Sequence, residues 1–212
     1  MLRYVGILWE PSMASCDVEA RRLLGRLEQG TIRWRPAVLR HGFQIYCATD
    51  PSVAQDSSSA SVYPLHQGAG VVLGTLFHRS SDSSDMTGRP AFDENASERV
   101  VRSKGRYLTE MYWGRYVAFL FDDMQRSRYV LRDPTGALPC FMTQSRGITI
   151  VFSLLEDCLA TGLGPFYPNW EYLAARTCVT WRLEARETAL LGVSNLIAGR
   201  SEERRVGKEC LE

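Results

Sequence analysis

Four apolar stretches follow one another between Tyr116 and Ser153, YVAFLFDD, RYVLRD, ALPCFMTQ and GITIVFS, each separated from the next by residues that turn a chain. Short runs rich in β-branched and aromatic residues, bounded by Asp, Pro, Gly and Ser, are strand signals, and links this short permit only antiparallel neighbours. The spacing therefore predicts a four-strand meander and excludes an all-helical fold. Its centre, RYVLRDPTGALPCF (residues 128 to 141), reads as a hairpin. Pro134 fixes one turn dihedral, Gly136 permits a positive one, Asp133 accepts backbone hydrogen bonds, and Arg132 reaches a carboxylate. That role is architectural, with a polar contact to a neighbouring domain as its rival.

Upstream, RYVGILW is a short strand stopped by Pro11. SCDVEARRLLGRLEQG then has the marks of a helix: an N-cap at Ser15, acids in the first turn, apolar Val18, Leu23, Leu24 and Leu27, and a terminal Gly30. TIRWRPAVLR, FQIYCAT and GVVLGTLFH read as strands. DPSVAQDSSSASV is a polar loop, and HRSSDSSDMTGRPAFDENAS is low in complexity and reads as a mobile one. SERVVRSKGRYLTEMYW predicts one helix capped at Ser97, and SLLEDCLATG and NWEYLAAR predict two more. Strands in two groups with helices segregated between them give an α+β, layered domain.

Net charge matters chiefly for what it excludes. At +1 over 212 residues the chain has no electrostatic case for nucleic acid or an anionic membrane. No apolar run is long enough to span a bilayer and the start lacks signal-peptide features, so the expected location is cytoplasmic. Cys16, Cys47, Cys140, Cys158, Cys178 and Cys210 form no C-x-x-C pair, and His41, His66 and His78 do not join them at metal-ligand spacings. They read as core thiols, with no metal site. Trp9, Trp34, Trp113, Trp170 and Trp181 read as core residues, and Asp122-Asp123 as a solvated turn.

The end of the chain departs from the rest. Up to Gly199 there are 20 Arg and a single Lys, after which comes RSEERRVGKEC. That string resembles the translation of a sequencing-library adapter. The expectation is a domain over residues 1–199 and an artefactual tail over 200–212, with the natural protein continuing beyond Gly199.

WGRYVAFLFDDMQRSRYVLRDPTGALPCFM and GITIVFSLLEDCLA together resemble the latter part of the glutaminase-type domain of asparagine synthetases. The matching positions are Gly114, Tyr116, Ala118, Asp122, Arg132, Asp133, Gly136, Pro139, Phe152 and Ser153. The resemblance implies a layered αββα sandwich of the Ntn-hydrolase kind with mainly antiparallel sheets, incomplete at its C-terminus. It also implies an amino-terminal Cys nucleophile whose own α-amine is its base; Leu2 stands there instead. The family's Asn-Gly-Glu segment aligns with Leu73-Gly74-Thr75, leaving Gly74 as a vestigial oxyanion position. No His-Arg-Gly-Pro-Asp or Gly-Asp-x-Glu segment is present. The implied glutaminase is inactive, and no catalytic residue is assigned.

The same combination resembles the asparagine-synthetase-like cyclases of lasso-peptide clusters, especially in YVLRDPTGALPCF, LEDCLA and NWEYLAA. By that resemblance the parent protein is an ATP-dependent amide ligase that closes a macrolactam ring. ATP and Mg would belong to a missing synthetase domain, and the partners would be that domain and a precursor peptide. Two alternatives stay open: a fragment of a glutamine-hydrolysing asparagine synthetase, and a stand-alone noncatalytic binding domain.

Overall fold

Period-two alternation decides which side of each strand meets the core, and in this chain both sides are apolar. The computed structural model describes residues 2–49, 61–79, 90–178 and 186–205. Sheet A contains β1 (Leu2–Trp9), β2 (Arg35–Arg40), β3 (Phe43–Thr49), β8 (Phe141–Ser145), β9 (Ile148–Phe152) and β10 (Val193–Asn195), in the order β10-β8-β9-β1-β3-β2. Sheet B contains β4 (Ser61–Pro64), β5 (Gly70–His78), β6 (Tyr112–Asp122), β7 (Ser127–Arg132) and β11 (Ser201–Arg205), in the order β11-β7-β6-β5-β4. Every pairing within the two sheets is antiparallel.

Three apolar clusters stack these sheets. Between them lie Leu2, Tyr4 and Leu8 of β1, Phe43 and Ile45 of β3, and Val71, Leu73, Val117, Phe119 and Val130 of sheet B. The alternate residues Val5, Ile7 and Trp9 point the other way, onto Cys16, Ala20, Leu23, Leu24 and Leu27 of helix α1 (Ala14–Gln29). On the far side of sheet B, Val72, Tyr116, Ala118 and Leu120 meet Val100 and Leu108 of helices α2 (Glu94–Arg102) and α3 (Arg106–Met111). The result is helix, sheet, sheet, helix: an αββα sandwich. Helices α4 (Leu155–Ala160) and α5 (Trp170–Cys178) follow β9. Each large aliphatic side chain buried this way contributes about 1.5–3 kcal/mol, which makes two-faced burial of the central strands the main stabilising feature.

Several local expectations change. The helix over residues 97–113 is two helices, because Gly105 at φ 87° breaks it and Asp93, not Ser97, accepts the capping hydrogen bond, from the Ala96 amide at 2.7 Å. Ser97 is buried inside α2 and accepts a bond from the His66 amide at 2.9 Å. In α1 the N-cap is Met13, Ser15 lies within the first turn, and Val18 is 68% exposed. Ser61 and Val62, read as loop, begin β4. Trp113 and Trp170 are exposed, while Trp9 is buried and Trp34 packs beside the α1 cluster. Of the loop expected to be mobile over residues 78–97, His78 ends β5 and residues 94–97 begin α2; its residues 80–89, residues 50–60 of the expected polar loop, and Trp181 lie outside the described residues.

The largest correction concerns the meander. β6 and β7 form a hairpin in sheet B, and β8 and β9 form another in sheet A, closed by Arg146 and Gly147 at φ 50° and 75°. Residues 133–140 are therefore no hairpin; they carry the chain from one sheet to the other. β11 then returns to sheet B and pairs with β7 from Ser201↔Leu131 to Arg205↔Ser127.

Candidate functional site

A chain leaving one sheet for another strands its backbone groups between ladders, and buried backbone donors and acceptors need partners. Arg132 and Asp133 stand where this happens. Arg132 Nε donates to the Leu138 carbonyl at 2.8 Å, and a second guanidinium nitrogen donates to the Asn195 side-chain oxygen at 3.1 Å and the Leu196 carbonyl at 2.9 Å. The third nitrogen donates to the Gly136 carbonyl. The expected carboxylate partner is replaced by carbonyls, because the planar fork fits between the crossover and the segment around Asn195.

Asp133 is fully buried. One carboxylate oxygen accepts from the Thr135 amide at 2.8 Å and from the Thr135 hydroxyl, and the other accepts from the Tyr116 amide at 3.2 Å. Its own amide donates to the Tyr116 carbonyl at 3.0 Å, so Asp133 ends the β6–β7 ladder with backbone and side chain together. Pro134 and Gly136 complete the turn, with Gly136 at φ 61°. The Gly199 amide donates to the Arg132 and Asp133 carbonyls, both at 3.1 Å. Pro139 offers its carbonyl to the Tyr4 hydroxyl at 2.6 Å, which ties the crossover to β1. These residues form one polar knot, and its side-chain bonds end on backbone groups, on Thr135 of the same turn or on the Asn195 side chain.

The other two sequence-selected positions lie elsewhere. Leu2 opens β1 opposite Thr49 and is 5% exposed within the inter-sheet core. An aliphatic side chain thus occupies the head of the strand. Gly74 pairs with Tyr116 in the β5–β6 ladder, and at φ 133° a Cβ there would fall 2.2 Å from the Arg115 carbonyl oxygen. Gly70 and Gly114 face the same obstruction in the same ladder, at 2.2 Å from the Phe119 oxygen and 2.1 Å from the Thr75 oxygen. Close backbone approach accounts for Gly74 without an oxyanion.

Thiols offer little nucleophilicity. Cys16, Cys47, Cys140 and Cys158 are buried, as expected of core thiols, while Cys210 and the Cys178 side chain lie outside the described residues. Burial pushes Cys140 and Cys158 up to about 12 and raises Cys47 as well, which keeps them protonated near neutrality, whereas the thiolate is the reactive form. His41 Nε2 lies 2.7 Å from Asp17 Oδ1, which also accepts from the Trp9 indole at 3.0 Å. The hydrogen bond from His41, then that from Trp9, holds the Asp17 carboxyl below its ordinary range. Sequence spacing gave no hint of this pair, nor of Asn195 beside Arg132. Asp122 forms a turn, accepting from the Met124 and Gln125 amides at 3.0 and 3.1 Å, but it is buried there and not solvated as expected, while Asp123 is exposed and engaged by Arg40.

The chain has no Ser-Gly-Gly-x-Asp-Ser loop for a nucleotide. Among the described residues no group of three or more His, Cys, Asp or Glu side chains is placed to hold a metal ion. Among them no helix is long and apolar enough to cross a membrane.

No family model matches the chain, and no curated protein matches it. Among solved structures it is similar to a glutamine phosphoribosylpyrophosphate amidotransferase from B. subtilis complexed with ADP and GMP. The identity is 12%, the TM-score 0.37, and the match covers 76% of this chain and 43% of that one. The chain thus spans less than half the length of that protein.

Proposed function

We propose that this chain is a noncatalytic glutaminase-like domain of an ATP-dependent amide ligase related to asparagine synthetases, with macrolactam closure of a lasso-type peptide as the parent reaction. The observation that carries the noncatalytic part is the head of β1. Where the resembling family has its nucleophile, the Leu2 side chain is sunk in the inter-sheet core. Cys47, Cys140 and Cys158, buried and held protonated, supply no substitute, and the Arg132–Asp133 knot is committed to backbone groups, Thr135 and Asn195. A cyclase whose attacking amine belongs to its own peptide needs no ammonia, so a sandwich retained for packing against the ligase domain is chemically sufficient.

Two measurements test this. Purified chain incubated with glutamine is expected to release no glutamate above the buffer blank; enzyme-dependent release would overturn the noncatalytic reading. Long-read sequencing of the source DNA beyond the Gly199 codon addresses the parent reaction. A frame running into a Ser-Gly-Gly-x-Asp-Ser segment beside a short precursor gene supports the cyclase. A native stop after Glu212 would remove the ligase and leave a stand-alone binding domain.

A further inference from the structure

The ends of β1 and β7 opposite to Leu2 and Arg132 bring two buried charges together, Glu10 from sheet A and Arg128 from sheet B, 7% and 5% exposed. Tyr129 and Leu131 turn toward α2 and α3 and Val130 turns inward, so Arg128, two places before Val130, directs its side chain between the sheets. One Glu10 oxygen accepts from the Ser12 amide at 3.1 Å and the Ser12 hydroxyl at 2.7 Å. The other, Oε2, is buried with no hydrogen-bond partner, and so is Arg128 Nε. Among the described residues the Arg128 guanidinium makes no hydrogen bond and no ion pair; the Phe121 ring, 5.9 Å from its carbon, offers no lone pair. Gly42 at φ 84° makes room for it, because a Cβ there would lie 2.8 Å from Arg128 Nη2.

A buried guanidinium without an acceptor is costly, and native proteins seldom keep one. Burial lowers its proton affinity, the Glu10 charge opposes that, and Arg126 adds to it. Glu10 is held by Ser12 and does not close on Arg128. Arg40, tied to Asp123, lies 4.3 Å above the same Phe121 ring, so three cations stand at this rim against two carboxylates. The surplus favours an anion. The free Oε2 adds a second requirement, since whatever serves Arg128 with acceptor oxygens must offer Glu10 a donor.

We propose that this rim is a site for inorganic hydrogen phosphate, whose oxygens accept from the Arg128 guanidinium while its P–O–H donates to Glu10 Oε2. A guanidinium takes phosphate oxygens in pairs, and a carboxylate acceptor selects the anion that still carries a proton. Sulfate has none near neutrality, and a phosphate monoester, with its second pKa at about 6, has mostly lost its own. The inference stands apart from the glutaminase-like reading, since it involves neither Leu2 nor the crossover.

The test titrates the full chain at about pH 7.5 with inorganic phosphate, sulfate and glycerol 3-phosphate at one ionic strength, reading heats of binding and the Arg Nε–H resonances of ¹⁵N-labelled protein. Phosphate is expected to bind saturably, shift the Arg128 Nε–H resonance and raise Tm, with sulfate and the ester at least about tenfold weaker. Arg128→Met should abolish binding. Glu10→Gln should bring sulfate to within about threefold of phosphate, because Ser12 keeps the carboxamide oxygen and turns its NH₂ to the ligand. Far-UV circular dichroism checks that both variants fold; should Arg128→Met not fold, Glu10→Gln decides. Absence of saturable phosphate binding, equal binding of sulfate by the parent chain, undiminished binding in folded Arg128→Met, or an unchanged preference in Glu10→Gln would each overturn the proposal.

Discussion

At the scale of single residues, the Arg132–Asp133 pair shows what a sheet-to-sheet crossover demands. Its four guanidinium bonds end on acceptors from two separate segments, Gly136–Leu138 and Asn195–Leu196. A lysine keeps the charge but carries three donors on one atom, and it cannot span both segments at once. Each buried acceptor left without a donor costs about 1–3 kcal/mol. Arg132→Lys is therefore expected to lower unfolding stability by about 2–4 kcal/mol in urea titration. Asp133→Asn should lower it by about 1–3 kcal/mol, because the amide NH₂ would face either the Tyr116 or the Thr135 N–H. A loss below about 0.5 kcal/mol in both would mean that backbone bonds alone hold the crossover.

At the scale of elements, two glycines separate helix propensity from ladder geometry. Gly25 lies within α1, and a Cβ there would meet nothing within 4 Å. Gly25→Ala should raise stability by about 0.5–1 kcal/mol and lift Tm. Gly74→Ala should instead cost more than about 3 kcal/mol, since it combines a positive φ with a carbonyl collision inside a central ladder. Thermal unfolding of the two variants should move in opposite directions, and a mild effect at Gly74 would show that β5 can shift away from β6. The strands flanking these sites were legible in the sequence because apolar runs and turn residues are local signals. Their distribution between two sheets was not. The peptide between β7 and β8 looks like any short turn, and only pairing with β1 and β11, far away in sequence, reveals that it changes sheet. Caps were similarly ambiguous: Ser97 and Asp93 both suit an N-cap, and burial of Ser97 beneath the His66 turn decides between them. The Arg132–Asp133 motif was recognisable as structural, but its partners around Asn195 lie more than sixty positions on, where no periodicity points to them.

At the scale of the whole molecule, two-faced burial of the strands makes the fold sensitive to alkali. Burial holds Cys140, in the inter-sheet core, and Cys158, on the buried face of α4, at about 12, and it raises the phenols of Tyr4, Tyr46, Tyr112 and Tyr116 above their ordinary value. An unfolded thiol loses its proton near pH 8.5. Between that pH and about 12 the unfolded chain binds fewer protons than the folded one, so stability falls as pH rises. Each thiol approaches a slope of about 1.4 kcal/mol per pH unit once its unfolded form is ionised, and the pair removes about 3 kcal/mol between pH 8.5 and 10. For a domain stable by about 5–15 kcal/mol, that is a large share. Urea midpoints measured at pH 8 and pH 10 should fall accordingly. Cys158→Ala should flatten the slope while lowering the starting value, because it removes one of the titrating thiols along with its packing. A midpoint independent of pH over this window would mean that the thiols ionise as readily folded as unfolded, and with it the case for a protonated, unreactive interior would fail.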